Sequence, residues 1–369
     1  MKNIAVFVLF CLPVISIFAQ TGVDSIKTEK PAGGKLTVQG YVDVYFSYAL
    51  SHPADATHPY FVSYTRDNEV NLNLAYLSLK FTSDRVRASF GPGFGTYMNA
   101  NYSSERQTLQ NLLEANIGVR LFKKRNIWLD AGVINSPYTN ESAYSFDQPT
   151  YTRSLGSENV PYYLTGVKAS IPLTDKWSLY LYLLNGWQVI QAQHDPLDFG
   201  SQLEFKPNDR WDINWNTYAG NEATDSHPNF KTRLFTDLYA IFTPSPKWSL
   251  TADAYAGWQE LEDNNQKVTR NWWNLNATAK FNFNNLHSVT ARVEAFHDPY
   301  EIMVTPITDA VGFKLFSASL GYNLAITDNV LFRAEVRYFG SPEEIYPLRD
   351  QTNTGRDCWF TLGLTARYP

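Results

Sequence analysis

From Lys35 onward, apolar and polar side chains alternate with a period of two, segment after segment, and no stretch holds a helical period for three turns. Alternation of this kind sends successive side chains to opposite faces of a strand. The chain is therefore expected to be all-β. In its first segment Leu36, Val38, Val42, Val44 and Phe46 share one face, while Gln39, Tyr41, Asp43 and Tyr45 share the other. One face suits an apolar solvent and the other tolerates water.

Three later segments carry a length scale. Trp177 to Trp187, Trp248 to Trp258 and Trp273 to Phe283 each place aromatic residues at both ends of a like-facing row of small and aliphatic residues. In the second, Leu250, Ala252, Ala254 and Ala256 stand between the tryptophans, and Ser249, Thr251, Asp253, Tyr255 and Gly257 take the opposite face. Ten strand residues at about 3.3 Å each span roughly 33 Å, which a tilt near 40° reduces to about 25 Å. That is the height of the apolar band between the aromatic girdles of a membrane barrel. After Gln20 the chain has no run of apolar residues long enough for a spanning helix, so a membrane role requires a closed sheet, which pairs every backbone amide.

The beginning of the chain agrees with export. Lys2, the apolar run Ile4 to Phe18 and a cleavage site after Ala19 read as a signal peptide of residues 1–19, followed by a short periplasmic segment, 20–34, and a barrel domain, 35–369. Cys11 lies in the middle of the apolar run, not at its end, which disfavours a lipoprotein. Cleavage leaves Cys358 as the one cysteine, so no intramolecular disulfide can hold the fold. A net charge of -5 disfavours nucleic acid as a partner.

Short polar turns occur at Ser83-Asp84, Lys123 to Asn126, Thr174 to Lys176, Pro207 to Arg210, Pro244 to Lys247, Asn284-Asn285 and Thr327 to Asn329. Longer connections rich in Pro, Asn, Asp and Gly fall at 51–69, 91–108, 135–162, 188–198, 220–231, 259–271, 297–312 and 340–357. Alternating long loops and short turns close a transmembrane, antiparallel, up-and-down β-barrel of about 16 strands, with both termini on the short-turn, periplasmic rim. Lys-Trp-Ser-Leu, at 176–179 and 247–250, follows a short turn both times, which fits one girdle solution used twice or a coincidence in an aromatic-rich chain.

The middle of the chain carries Asn135-Ser136-Pro137, Tyr151 to Leu155, Pro161 to Val167 and Asn185-Gly186-Trp187. In these words it resembles the OmpL-like β-barrel porins common in Bacteroidetes, from about Gly40 to the last strand. Tyr138 and Leu164 stand where members of that family often have Gly and His. The resemblance implies an outer-membrane channel. Trp359 to Tyr368 looks like a C-terminal signal for the barrel-assembly machinery, with Pro369 added.

Strand phase assigns Lys80, Glu114, Arg120, Asp130, Lys168, Glu204, Lys206, Asp212, Asp237, Asp253, Lys280, Arg292, Glu294, Arg333, Glu335, Arg337 and Arg367 to the lumen. Arg333, Glu335 and Arg337 form the densest ladder. Asp237 and Asp253 help make an acidic stretch on nearby strands. Such a pattern either sets a transverse field with weak ion preference or braces a wet wall. Loop 135–162, with Glu141, Asp147, Arg153 and Glu158, either folds inward as a constriction or caps the mouth.

No Gly-x-Ser-x-Gly or His-Glu-x-x-His occurs. His52, His58, His194, His227 and His297 lie close to prolines and read as residues of connections. Gly91-Pro92-Gly93-Phe94-Gly95 lacks the Lys-Ser or Lys-Thr of a phosphate loop and reads as a bend at the mouth. Glu260, Glu262, Asp263 and Asn264 suggest either a Ca²⁺ loop or a solvated acidic tip. Cys358 reads as a packing residue. The resulting expectation is a porin passing small hydrophilic solutes, without enzymatic activity, cofactor or metal. Its partners are outer-membrane lipid and lipopolysaccharide, and homotrimeric assembly is carried over from other sixteen-stranded porins. A phospholipase-like hydrolase or a closed receptor or adhesin barrel are the alternatives.

Overall fold

The computed structural model describes residues 33–194, 197–263 and 266–368. The expected signal peptide lies outside the described residues, as do most of segment 20–34 and Pro369.

Along the chain run β1 (Lys35–Ala49), β2 (Glu69–Thr82), β3 (Val86–Phe94), β4 (Leu112–Arg120), β5 (Trp128–Asn135), β6 (Tyr163–Pro172), β7 (Trp177–Leu184) and β8 (Asp198–Phe205). They are followed by β9 (Trp211–Asn221), β10 (Phe230–Ser245), β11 (Trp248–Asp263), β12 (Gln266–Asn282), β13 (His287–Asp298), β14 (Phe313–Thr327) and β15 (Val330–Gly340). The small hairpin of β16 (Tyr346–Pro347) and β17 (Asn353–Thr354) sits within the last long connection, before β18 (Arg356–Tyr368). Sixteen strands, all but β16 and β17, form one closed antiparallel barrel. The ring shuts where β1 pairs with β18, from Gly40 opposite Tyr368 to Ala49 opposite Trp359.

Alternation decides which side chains point outward. Trp248 and Trp258 are 44% and 41% exposed, and between them Thr251, Asp253, Tyr255 and Gly257 are buried on the inner face. Trp177 opposes Phe205, Trp211 opposes Phe242 and Trp248 opposes Phe281, each as a cross-strand pair beside a short turn. Their ring centroids are 4.1, 4.0 and 4.8 Å apart, so the facing rings are in close contact. The two Lys-Trp-Ser-Leu segments thus put their tryptophans to one use, in a girdle along the short-turn rim.

Four local expectations change. β7 ends at Leu184, and Gly186, with φ of 151°, turns the chain inward. Trp187 therefore packs inside, against Tyr138, Tyr218 and Phe235, and is not the second girdle aromatic of its segment. Residues 259–271 are largely not a loop, since the β11–β12 ladder continues from Glu260 opposite Thr269 to Asp263 opposite Gln266. The polar composition there marks strands rising beyond the apolar band. Glu260 pairs with Lys267 at 2.8 Å and Glu262 with Lys231 at 3.0 Å, while Asp263, adjacent on the strand, faces the other way. These acids do not converge on a Ca²⁺; Asn264 lies outside the described residues. Gly91 to Phe94 complete β3 and only Gly95 bends, leading into helix α1 (Thr96–Asn101). His297 likewise belongs to β13, beside Trp273.

Leu238, 53% exposed on β10, stands in the middle of the outward band. Leu238→Arg is expected to lower stability in phospholipid bilayers by about 2–4 kcal/mol, the usual cost of Arg at mid-membrane. Urea titration of protein refolded into vesicles measures it, and an unchanged midpoint refutes an outward face in hydrocarbon.

Candidate functional site

The long connection between β5 and β6 docks inside the barrel. Its neck closes where the Ser136 amide donates to the Tyr162 carbonyl. Beyond this, the loop's backbone is fastened to inward side chains of several wall strands. The Thr139 amide donates to Asp237 on β10 at 2.5 Å, and the Leu155 amide to Glu294 on β13 at 2.6 Å. Tyr151 and Thr152 amides both donate to Glu335 on β15, at 3.0 and 2.9 Å, and the Thr152 hydroxyl adds a bond of 2.7 Å. Ser154 caps the short helix α2 (Leu155–Glu158) by accepting from the Ser157 amide.

The arginines serve the loop's carbonyls. Arg333 donates to the Phe146, Gln148 and Thr150 carbonyls, Arg292 to that of Thr152, and Arg337 to that of Arg153. A turn buried in a barrel would otherwise leave these acceptors unsatisfied, at a cost of about 1–3 kcal/mol each. Two of the guanidinium charges are met by carboxylates: Arg337 pairs with Glu294, and Arg292 with Glu335 at 3.0 Å and Glu141 at 3.6 Å. All three arginines are only about 1% exposed. The ladder thus braces the loop.

On the β1 side, Asp43 accepts from the Tyr151 hydroxyl at 2.8 Å and from Ser145, Tyr64 and Asn73, each at 3.1 Å. Gly363 on β18 makes room for this, because a Cβ there would lie 2.0 Å from the Tyr151 ring. Glu158 accepts from the amides of Val62 and Ser63 and so ties the docked loop to the loop between β1 and β2. Burial pushes the Glu158 carboxyl up despite these donors, and burial likewise raises the Tyr151 and Tyr162 hydroxyls, which remain neutral donors.

Of the expected lumen residues, Glu141, Arg153, Glu158, Asp237, Arg292, Glu294, Arg333, Glu335 and Arg337 come together around this loop. Asp147 instead is exposed and pairs with Arg367 at 2.8 Å, near the end of β18. Together with Tyr41, Tyr76, Lys80, Tyr144 and Phe146 they line a cavity of about 560 Å³. Glu114, Asp130 and Lys168 lie on β4, β5 and β6, where Tyr76 donates to Glu114 at 3.0 Å and Arg87 holds Asp130 through two bonds. Arg120, at the end of β4, donates to the Arg125 carbonyl of the adjacent turn. Sequence reasoning left out Asp43, Arg87 and Arg233. Strand phase alone points Asp43 inward, and it points Arg233 inward too, on the same face of β10 as Phe235 and Asp237. Arg233 is sandwiched between Trp187 and Trp272 and bonds Gln259 at 2.9 Å.

Inward side chains lose their exposure toward the level of the loop. Side chains of Lys206 and Asp212, toward the short-turn rim, are 49% and 31% exposed. Asn216, Asp237 and Asp253 are 0%, 1% and 3% exposed.

A family described as putative beta-barrel porin-2, OmpL-like, matches residues 35–368. No curated protein matches the sequence significantly. Among solved structures, the outer membrane channel DcaP of Acinetobacter baumannii is similar, with a TM-score of 0.64, 10% identity and coverage of 91% of this chain and 98% of that one. An anion-selective porin from Comamonas acidovorans has a TM-score of 0.59 at 9% identity, covering 91% of this chain and 100% of that one. OmpT of Vibrio cholerae in a trimer form has a TM-score of 0.57 at 9% identity, covering 91% and 99%. At these identities the likeness is one of fold.

Glu335→Ala leaves Arg292 without its 3.0 Å partner and strips three bonds from Tyr151 and Thr152. Loss of one partner from a buried pair is expected to destabilise the docked loop by about 3–5 kcal/mol. Limited trypsin digestion should then cut at Arg153, which is protected in the parent protein. Equal protection in both proteins would show that Glu335 does not fasten the loop.

Proposed function

The chain belongs to the putative beta-barrel porin-2, OmpL-like family and is an outer-membrane porin; from this premise we propose that it passes small hydrophilic solutes passively and with weak selectivity. Loop 135–162 is the constriction in this reading. The observation that carries it is the loop's attachment to β1, β10, β13 and β15 across the lumen, at the level where inward side chains lose their exposure.

A barrel of this size is wide enough to conduct water unless something occupies its interior. The docked loop reduces that width and sets a size limit. Asp237 and Asp253 stand on β10 and β11, and Arg292, Arg333 and Arg337 on β13 and β15, so the wall behind the docked loop carries opposite signs on separate strands. Because Arg292 and Arg337 are compensated by Glu294, Glu335 and Glu141, the preference for either ion sign is small. Passage, not catalysis, is the activity we assign. The assembly we assign is a homotrimer, after the trimer form of OmpT from Vibrio cholerae; its surroundings are outer-membrane lipid and lipopolysaccharide, and β18 is the strand offered to the barrel-assembly machinery.

A second reading, a closed barrel whose outer loops bind a ligand, is favoured by the near-complete burial of inward side chains beside the loop. Replacing residues 139–158 by a short Gly-Ser link separates the two. The porin reading expects the parent to conduct in planar bilayers and the variant's single-channel conductance to rise severalfold, with larger sugars entering in liposome swelling. Equal conductance rejects the constriction. A parent protein silent in both assays supports the closed barrel.

A further inference from the structure

Among the described buried carboxylates, Asp253 alone has both oxygens without a hydrogen-bond partner. Its equivalents are all engaged: Asp43 by tyrosines, Asp130 by Arg87, Asp237 by an amide and Asn216, Glu294 and Glu335 by arginines. Asp253 takes part in no ion pair among the described residues, although it is only 3% exposed. An unpaired carboxylate buried to that degree is costly and calls for a compensating proton or cation.

Its immediate surroundings decide between these. Asn276 stands directly opposite Asp253 on β12, and Thr251 directly opposite Thr278 on the same inner face. These three side chains are 4–6% exposed, and Asn276 Oδ1, Thr251 Oγ1 and Thr278 Oγ1 are also buried without a partner. Two facing cross-strand pairs therefore present a carboxylate, an amide oxygen and two hydroxyl oxygens to one patch of wall. A single proton satisfies one such oxygen, whereas a hard cation accepts several. Facing Cβ atoms in an antiparallel ladder stand about 4.5–5.5 Å apart. Oxygen ligands on opposite sides of a Ca²⁺ stand roughly 4.6–5.2 Å apart, twice its usual 2.3–2.6 Å bond.

Two further acids stand near Asp253. Asp237 and Glu141 both act electrostatically on Asp253. Arg292, opposite Thr278 on β13, is occupied by Glu335 and Glu141, and Lys280, next on that face of β12, makes no ion pair among the described residues.

We propose that Asp253, Asn276, Thr251 and Thr278 form a binding site for a hard divalent cation of the Ca²⁺ class on the inner wall. The site belongs to β11 and β12, and does not depend on whether loop 135–162 narrows an open channel. It is separate from the acidic tip of those strands, where Glu260 and Glu262 are neutralised by lysines.

The test uses the full-length protein folded in detergent, with Tb³⁺ as probe, its luminescence excited through the protein's aromatic residues and displaced by Ca²⁺. A saturable, Ca²⁺-displaceable signal is expected in the parent and in Glu262→Gln, with affinity at least tenfold weaker in Asp253→Asn. Folding of each variant is checked by heat-modifiable migration on gels. Should Asp253→Asn not fold, Thr278→Val, which keeps the ladder, is read in its place and is expected to weaken binding severalfold. Absence of a displaceable signal in the parent, an affinity unchanged in the variant that folds, or displacement by K⁺ as effective as by Ca²⁺ overturns the proposal.

Discussion

Closure of the backbone ladder is the constraint on which everything else rests. In hydrocarbon no water is available to an unpaired amide, and a sheet with a free edge would expose a whole row of them. Pairing of β1 with β18 removes that edge. Once the sheet is closed, alternation has a second consequence, because each strand must send half of its side chains into a confined space. The outward half forms a lipid-matching band between aromatic rows, and the inward half carries most of the buried charge.

A polar interior of this kind has to be satisfied from within. The inner wall carries Arg292, Arg333, Arg337, Glu294 and Glu335 close together, and buried ions repay their desolvation only with good geometry and additional hydrogen bonds. Loop 135–162 supplies those bonds from its main chain, offering carbonyls to the arginines and amides to the glutamates. The loop in turn packs Tyr138, Leu155 and Val160 into the buried apolar cluster inside the barrel, and the wall gives its backbone partners. Wall and loop are therefore one structure energetically, which makes the loop a fixed element of the lumen.

Much of this was legible in the chain itself. Trp248 and Trp258 lie ten residues apart on one face, and both stand outward with a buried polar face behind them. The short turns and long connections led to the observed number of strands. The failures share a cause. At Trp187 and in 259–271 the reading depended on where a strand stops, and composition tracks solvent more closely than it tracks pairing. Polar residues on β11 and β12 past Gln259 mark the height of the membrane, not the end of the ladder. Trp187 is aromatic because it fills the inside of the barrel beside Tyr138, and its spacing from Trp177 along the sequence does not reveal the turn at Gly186. Arg87 escaped notice because its partner, Asp130, lies 43 residues away.

The sequence by itself determined the class of fold, the outward and inward faces and the strand count, because each follows from local periodicity or from turn chemistry. The tertiary structure alone decided which inward charges meet, that the loop's backbone is what Arg333, Arg337 and Glu335 hold, and that Asp253 is left without a protein partner. Those outcomes depend on the shear of a closed barrel and on the path of a loop across it. Contacts between residues more than a hundred positions apart, such as Thr152 and Glu335, are set by that geometry and leave no periodic trace along the chain.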